Sequence, residues 1–492
     1  MRTPAARQPG ASRWRWTEKI QIPFHVVMTT LIGIVILLAA REAILTLRSY
    51  KYLIALIVFG LAAIAFLMIP RKFNFFLYAI GFTLPFYVEI ILLERDNSVL
   101  SISGTTLMLM GTAIVGFATG MMGKPRIILE PRVTFPMLLF IATCLLTLAT
   151  TTDLTLTLIT VIQELEMLLI FLILVNAVTD ESRLVIFLRG LFLGFVIECG
   201  IYYIQNALGF SFDILGNRKF DGGTDLDTGR LGSQRGTWAG APATAALYFS
   251  LMTLFLTGFY LCRKKLPVRL QPIVGMMLGL SCVVLAAKRA AMSGFALAIV
   301  VMLFMLPRFA PGALRKLAIV LGSLAIPFLI CLPVFLLRAS ADHESAYEER
   351  ANLTKVAWNM YHAHPALGVG FGTYDAVKRE YLPPDWSGWL YKVHTRYLLI
   401  LAETGTVGFA ALIFLYLSVL RTAVRGIMRV APEFRALQIA LVVGLVALYY
   451  EQIWDIFDSR QQGYLYWLIA SLAVIVPRAL PAGGPARASG AA

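Results

Sequence analysis

Lys288 and Arg289 could carry chemistry, because they interrupt an apolar stretch over residues 273–307. A continuous helix of this length would extend about 52 Å, whereas the hydrocarbon core of a bilayer is about 30 Å thick. We therefore predict a turn or break at this pair, at a membrane surface. Either the two cations extend to lipid head groups, or they bind an anion, since a guanidinium matches the oxygens of a phosphate.

Two further arginines, Arg230 and Arg235, lie in a polar segment, 209–236. They are followed by Gly236 and Thr237, which we interpret as the entry into a helix. Backbone amides at a helix start, together with arginine side chains, can hold a diphosphate. The alternative is an ordinary polar loop, because the same segment also contains several aspartates.

His394 lies where a long polar segment meets the next apolar run, in YKVHTRYLLILAETG. An imidazole at a lipid–water boundary can accept a proton from a hydroxyl group near neutral pH. The alternative is a hydrogen-bonded interfacial histidine without a catalytic role. The sequence alone leaves both interpretations open.

His362 and His364 are two residues apart, so on a helix they would point in different directions and form a poor metal pair. His364 precedes Pro365, and we predict that it shapes a turn. The three glycines that follow would give a flexible backbone beside a bound ligand; they are Gly368, Gly370 and Gly372.

Acidic residues within apolar runs form another group of candidates. They could serve a proton-coupled transporter or a network of hydrogen bonds between helices. Glu403 could pair with an arginine at the outer face. The group comprises Glu89, Glu164, Glu166, Glu198, Glu403, Glu451 and Asp455.

The composition excludes a soluble protein. Of 492 residues, 59% are hydrophobic and 14% are charged, whereas soluble domains have about 45–50% apolar and about 25% charged residues. The net charge of +15 would suggest nucleic acid in a soluble chain, but here we attribute it to basic cytoplasmic loops. The five cysteines lie in or beside apolar runs, at no metal-ligand spacing, so we predict no disulfide framework, metal site or cofactor.

The chain is therefore predicted to be an all-α polytopic membrane protein with about 12–14 transmembrane helices. Basic loops at 263–269, 308–316 and 421–435 indicate the cytoplasmic side, which leaves 209–236 and 338–396 outside. The predicted spans are 23–40, 52–69, 75–93, 105–122, 135–151, 158–178, 185–208, 237–262, 273–287, 290–307, 317–337, 397–420, 436–457 and 464–477.

These spans and loops divide the chain into seven predicted parts. They are a basic cytoplasmic N-terminus (1–22), an N-terminal transmembrane bundle (23–208), a first outer loop (209–236), transmembrane helices around the Lys288/Arg289 junction (237–337), a large outer loop (338–396), C-terminal transmembrane helices (397–477) and a disordered cytoplasmic tail (478–492).

Three segments together resemble the O-antigen ligase and O-antigen polymerase superfamily, membrane glycosyltransferases that act on polyprenyl-diphosphate-linked glycans. NMYHAHPALGVGFGTY is similar to the His-Pro-x-x-Gly-x-Gly signature of its periplasmic loop, and Arg350 and Trp358 precede it at the Arg-(x)7-Trp spacing. VHTRYLLILAETGTVGF resembles the following His-Asn-x-(Tyr/Phe)-Leu…Glu-x-Gly-x-x-Gly segment. LAAKRAAMSG is similar to the Thr-x-Ser-Arg-(Gly/Ala) helix start.

The resemblance implies a helical glycosyltransferase of the GT-C-like type in the bacterial inner membrane, with its active site facing the periplasm. By position, His394 becomes the catalytic base or acceptor-positioning residue, and Arg289, beside Lys288, a ligand of the donor diphosphate. Arg230, narrowly preferred over Arg235, becomes a second phosphate ligand. Supporting roles fall to Arg350, His364 and Glu403.

Three departures from the family pattern bear on the choice of acceptor. Thr395 replaces the asparagine after the histidine, Lys288 replaces a serine, and Pro242-Ala243 replaces a Pro-Asn pair. The acceptor is either a lipid A-core, as for a ligase, or a second lipid-linked glycan, as for a polymerase of O-antigen or exopolysaccharide. We favour the ligase slightly. A proton-coupled transporter or flippase is the alternative from another class, and it predicts two similar hydrophobic halves that the sequence lacks.

Overall fold

A computed structural model describes residues 72–86, 89–95, 98–118, 128–208, 236–237, 242–262, 266–267, 272–286, 288–339, 345–384, 386, 390–457 and 459–483 of the chain. The predicted N-terminus and the first two predicted spans lie outside these residues, as do Arg230 and Arg235.

The described residues form fourteen α-helices and one β-hairpin. Short 3-10 turns at Thr147–Ala149, Pro311–Ala313, Lys378–Tyr381 and Pro432–Phe434 join some of them. In chain order the elements are α1 (Lys72–Thr83), β1 (Glu89–Arg95), β2 (Ser98–Ser103), α2 (Gly104–Ala118), α3 (Pro131–Leu146), α4 (Leu154–Ala177), α5 (Glu181–Leu208), α6 (Pro242–Leu261), α7 (Pro272–Ala286), α8 (Arg289–Phe309), α9 (Leu314–Ala339), α10 (Ser345–Ala363), α11 (Tyr374–Val377), α12 (Arg396–Gly426), α13 (Arg435–Glu451) and α14 (Arg460–Ala479).

Eight helices of the described part of the chain are long and apolar enough to cross a membrane. Three shorter apolar helices, Phe73–Thr83, Gly104–Gly116 and Pro272–Ala286, accompany them. Large apolar side chains such as Phe304 on α8 and Ile330 on α9 point outward, with 77% and 72% of their surface exposed, as expected for helices surrounded by lipid. The prediction of a helical, multi-pass membrane protein is confirmed.

The β-hairpin corrects one predicted span. We expected residues 75–93 to cross the membrane, but α1 ends at Thr83 and the chain then forms the antiparallel strands β1 and β2. The apolar residues of this stretch are hydrophobic enough for either structure, and a short apolar run does not distinguish strand from helix. The first strand ends at Arg95, and the second begins at Ser98.

The predicted disordered tail also starts too early. Helix α14 continues to Ala479, and the chain beyond it is hydrogen bonded: Ala431 N donates to Leu480 O at 2.9 Å, and Ala482 N to Arg429 O at 3.0 Å. These bonds attach residues 480–482 to the loop between α12 and α13. Only 484–492 lie outside the described residues at this end.

Basic residues gather at one end of the helices, here called the basic end. Lys316 Nζ donates to Cys262 O at 2.9 Å, and Arg478 Nη1 donates to Val175 O at 3.3 Å. Neighbouring helices therefore end together on this side, as the basic loops predicted. The basic end includes Arg132, Arg183, Arg308, Arg315, Lys316, Arg421, Arg425, Arg429, Arg435 and Arg478.

The opposite side is called the His394 end, defined by residues 150–154, 286–289, 394–396 and 451–460. Two helices begin here with side-chain caps. Asp153 accepts hydrogen bonds from Thr155 N and Leu156 N at the start of α4, and Ser459 forms a capping box with Gln462 at the start of α14. Such caps satisfy amides that a helix start leaves without partners, so they fix where the first turns of α4 and α14 lie.

Helix α12 is broken at Gly405, whose φ of 63° and ψ of −167° are not helical. A preceding loop supplies the missing hydrogen bonds on both sides of the break. At the end of the first half, Ala402 O and Glu403 O accept from Val369 N and Gly370 N, both at 3.0 Å. At the start of the second half, Thr406 N and Val407 N donate to Pro365 O (2.9 Å) and Ala366 O (3.3 Å). The loop therefore replaces the turn that α12 lacks.

A small second core joins residues 345–395, here called the outer segment, to the first half of α12. It is separate from the main helix core and contains residues of α10, of the 369–377 region and of α12. Its buried members are Val356, Ala357, Met360, Val369, Tyr374, Val377, Val393, Leu399 and Ala402. The large outer loop is thus packed in place, and its last buried residue, Val393, directly precedes His394.

Candidate functional site

His394 is held from both sides at the start of α12. Before it, Val393 is buried in the second core. After it, Thr395 is the N-cap of α12, and its Oγ1 donates to Gln452 O at 3.3 Å. His394 itself is half-buried. The structure therefore holds the chain on both sides of His394 and leaves its side chain partly exposed, so the imidazole has the access that a proton acceptor needs.

The next residue, Arg396, begins α12 and is anchored by its backbone. Its N–H donates to Gln452 O at 2.9 Å and to Asp455 O at 3.1 Å, both in the turn after α13. Its guanidinium Nη2 contacts Glu164 Oε1 of α4 at 3.5 Å. The side chains of Arg396 and Glu164 are only 12% and 18% exposed. A largely buried ion pair therefore begins two residues after His394.

A second, tighter ion pair links α4 to the start of α14. Arg460 Nε and Nη2 contact Glu166 Oε2 at 2.6 and 2.5 Å. The other carboxylate oxygen, Oε1, accepts from Tyr464 at 2.8 Å and from Thr106, which also bonds Ser103 at 2.7 Å. This cluster ties α14 and the start of α2 to α4.

Glu403, predicted as a supporting residue, is buried at the end of the first half of α12. Its Oε1 accepts from Tyr374 N at 3.2 Å. Glu403 therefore bonds the backbone of the outer segment, and it also interacts electrostatically with Lys392 and Arg396. Burial, followed by the nearby Asp375 charge, raises the pKa of the Tyr374 hydroxyl, so this tyrosine is neutral at physiological pH.

The three glycines of this loop do not form the flexible backbone that we predicted. All have positive φ, namely 70° for Gly368, 119° for Gly370 and 82° for Gly372. A Cβ on Gly368 would overlap the backbone of Glu403, and a Cβ on Gly372 would overlap the side chain of Thr160. The glycines are needed for a left-handed backbone in close contact with α12 and α4, not for mobility beside a ligand.

Lys288 and Arg289 occupy the predicted break. Helix α7 ends at Ala286, Lys288 is the N-cap of α8, and Arg289 is its first residue, exposed at the surface. Lys288 is half-buried. The pair therefore lies at the His394 end.

Helix α13 connects this pair to His394. Gly294, in the second turn of α8, packs against Ala447 and Tyr450 near the end of α13. The turn after α13 then bonds the backbone of Arg396 through Gln452. The last turn of α13 thus lies between the starts of α8 and α12.

The prediction that the backbone amides of Gly236 and Thr237 start a helix and hold a diphosphate is wrong. Helix α6 starts at Pro242, not at these residues. Gly236 N donates to Gln205 Oε1 and Thr237 N to Glu198 Oε1, both at 2.8 Å. Because both amides already have buried partners, they do not face a phosphate. They instead anchor the end of the first loop to α5.

Arg350 lies on α10, and His364 lies just after its end. Arg350 is exposed. His364 is also exposed, with its ring 6.4 Å from that of Tyr381. Its backbone carbonyl accepts from Gly368 N at 2.9 Å, so it shapes the turn before the glycines, as its place before Pro365 predicted.

Residues 274–413 match the family model described as O-antigen ligase. This match supports membership of the O-antigen ligase and polymerase superfamily. The match begins in α7 and ends in the second half of α12, so it covers the α8 start, the outer segment and His394. A comparison with curated proteins found no match. The match therefore supports a ligase- or polymerase-type function in glycan assembly.

Within this superfamily segment, the sequence interpretation missed Arg396. We placed Arg396 at the end of the large outer loop and gave it no role. The signal that could have identified Arg396 is a charged residue in the first turn of an otherwise apolar helix, which is costly in a membrane without a partner or ligand. Its partner Glu164 is 232 residues away in the sequence and could not be chosen among the seven acidic residues of the apolar runs.

Proposed function

We propose that this chain is an O-antigen ligase-like glycan transferase of the bacterial inner membrane. It moves a glycan from a polyprenyl diphosphate carrier to an acceptor hydroxyl at the periplasmic face, in lipopolysaccharide or exopolysaccharide biosynthesis. One observation carries the proposal: within the segment that matches O-antigen ligase, His394 is fixed on both sides and half-buried at the start of α12.

In the proposed reaction, His394 accepts the proton of the acceptor hydroxyl while its oxygen attacks the anomeric carbon of the donor sugar. The bond from that carbon to the diphosphate oxygen breaks, and polyprenyl diphosphate leaves with the bonding electrons. Attack opposite the leaving group inverts the anomeric centre. Arginine and lysine side chains can stabilise the charge that develops on the diphosphate, so the proposed reaction needs no metal.

The proposed diphosphate ligands are Arg289, with Lys288 beside it, and Arg230 or Arg235 from the first outer loop. The anchor of that loop supports this assignment, because Gly236 follows Arg235 directly and is bonded to Gln205. The end of the first loop is therefore held at α5 through Gly236. Arg350, His364 and Glu403 are proposed as supporting residues that hold the outer segment.

The experiment is to measure the length of lipid-diphosphate-linked glycans in cells whose only copy carries His394→Ala. Accumulation of long lipid-linked chains would establish a ligase, because polymerisation continues while transfer fails. Accumulation of single repeats would establish a polymerase. Unchanged lipid-linked and surface glycans would refute the role of His394.

His362→Ala is the matched control for this experiment. His362 lies on the exposed face of α10, with its ring 5.1 Å from that of Trp358, and the proposed mechanism does not use it. The control should leave both glycan pools unchanged. Equal amounts of both variants in the membrane fraction exclude an effect of expression.

A further inference from the structure

We infer that Arg396 is an additional ligand for the diphosphate of the lipid-linked donor, and that Glu164 holds its guanidinium until the donor binds. The inference rests on the proposed function for the nature of the donor. It adds a cation at the first residue of α12 to the proposed ligands of the first outer loop and of the α8 start.

Burial is the first step of the argument. A guanidinium stays charged in proteins, and a buried cation is costly unless an anion compensates it. The Arg396 side chain is 12% exposed. Its single ion-pair contact to the residues that the structure describes is the one at 3.5 Å to Glu164. Charge-assisted hydrogen bonds are usually about 2.7–2.9 Å long, so this contact leaves much of the guanidinium unsatisfied.

The ion pair between Arg460 and Glu166 of α4 has the geometry of a satisfied pair. Two of its nitrogens reach one oxygen of Glu166 at 2.5 and 2.6 Å, and the other oxygen accepts from Tyr464. Nothing in that cluster requires another anion. The neighbouring pair differs because Arg396 uses one nitrogen at a long distance, which leaves N–H groups for a bidentate contact to phosphate.

The position of Arg396 suits a role beside His394. The two residues are two positions apart, so their Cα atoms lie within about 7.6 Å of each other. The Arg396 N–H is fixed by Gln452 O and Asp455 O. A diphosphate held by this side chain therefore remains close to the imidazole that is proposed to accept the proton.

The test measures binding of farnesyl diphosphate to the detergent-purified full chain by calorimetry, with farnesol as the probe without phosphate. The native chain should bind farnesyl diphosphate and not farnesol. Arg396→Ala should weaken binding about tenfold or more, the range expected when a hydrogen bond to a charged group is lost. Arg396→Lys should retain part of the affinity, because it keeps the charge but not the fork.

Glu164→Gln distinguishes a ligand from a merely structural arginine. If Glu164 competes with the diphosphate, removing its charge should tighten binding about two- to fivefold. If the pair only supports the fold, Glu164→Gln should weaken binding as Arg396→Ala does. That result would overturn the inference, as would native affinity in Arg396→Ala or no binding to the native chain.

Two further arms complete the experiment. Arg379→Ala removes the same charge from an exposed position in the Lys378–Tyr381 turn, and it should not change the affinity. Phosphatidylglycerol should compete poorly, and equal competition would overturn the inference in favour of a general head-group site. His394→Ala should keep farnesyl diphosphate binding while losing glycan transfer. If His394→Ala retains transfer, the proposed function fails and the binding result for Arg396 stands apart from it.

Discussion

Helix α4 carries two glutamates, two residues apart, and each faces an arginine at the first residue of another helix. The Glu166–Arg460 pair is short and its carboxylate is fully bonded; the Glu164–Arg396 pair has one contact at 3.5 Å. The same helix thus makes one closed pair and one open pair. A closed pair holds helices together, whereas an open pair keeps a charge available for a ligand.

The largest effect should come from removing the arginine of the closed pair. Arg460→Ala leaves Glu166 buried without its cation, and breaking a buried pair in this way costs about 3–5 kcal/mol of the free energy of unfolding. Thermal unfolding of the detergent-purified protein measures the loss. A loss no larger than that of Arg396→Ala would remove the distinction between the two pairs.

Gly372→Ala tests whether α4 is held in place near the open pair. A non-glycine residue with φ of 82° costs about 1–3 kcal/mol, and overlap with Thr160, one turn before Glu164, adds to that cost. The double variant Thr160→Ala/Gly372→Ala should regain the stability lost through the overlap, but not the stability lost through backbone strain. A double variant as unstable as Gly372→Ala would show that Thr160 does not limit this contact.

Glu198 extends the comparison to a buried carboxyl group that is not paired with a cation among the described hydrogen bonds. Its described donors both belong to the uncharged Thr237. Thr237 N and Oγ1 donate to its two oxygens, both at 2.8 Å. Glu198→Gln replaces one acceptor by an amide and should cost about 1 kcal/mol, measured by thermal unfolding. Protease cleavage in the first loop should also become faster, because its anchor is weakened; an unchanged cleavage rate would argue against that anchor.

The smallest effect on stability should come from the open pair itself. Arg396→Ala should lower the free energy of unfolding by about 1 kcal/mol, the usual net contribution of one hydrogen bond, because it removes a single contact at 3.5 Å. A double-mutant cycle with Glu164→Gln should give a coupling energy smaller than the cycle of Arg460→Ala with Glu166→Gln. Equal coupling energies would mean that the 3.5 Å separation does not reflect a weaker interaction.

The membrane helices were predictable from the sequence because their length is set by the thickness of the lipid. Residues 185–208 and 290–307 were predicted, and the helices are Glu181–Leu208 and Arg289–Phe309. The hairpin after α1 was not, since hydrophobicity alone does not distinguish its strands from a short span. The outer glycines were misinterpreted for a related reason: their sequence does not show whether neighbours hold the backbone.

For the site, the sequence was sufficient to predict that His394 and Arg289 lie at the same end of the helices. Counting spans from basic loops gives this result, and the helix directions agree with it. The sequence could not show that Arg396 faces Glu164 or that Gly236 is bonded to Gln205. These contacts join residues far apart in the chain and depend on how the helices pack.

The break in α12 has a consequence for the assembly of the protein in the membrane. Backbone groups left open at Gly405 would be expensive in lipid, and the bonds that close the break come from residues 365–370. Because the chain is made from its N-terminus, these residues are synthesised about 35 positions before the helix break that needs them. The partners are therefore already available when α12 enters the bilayer, and no later segment is required to complete it.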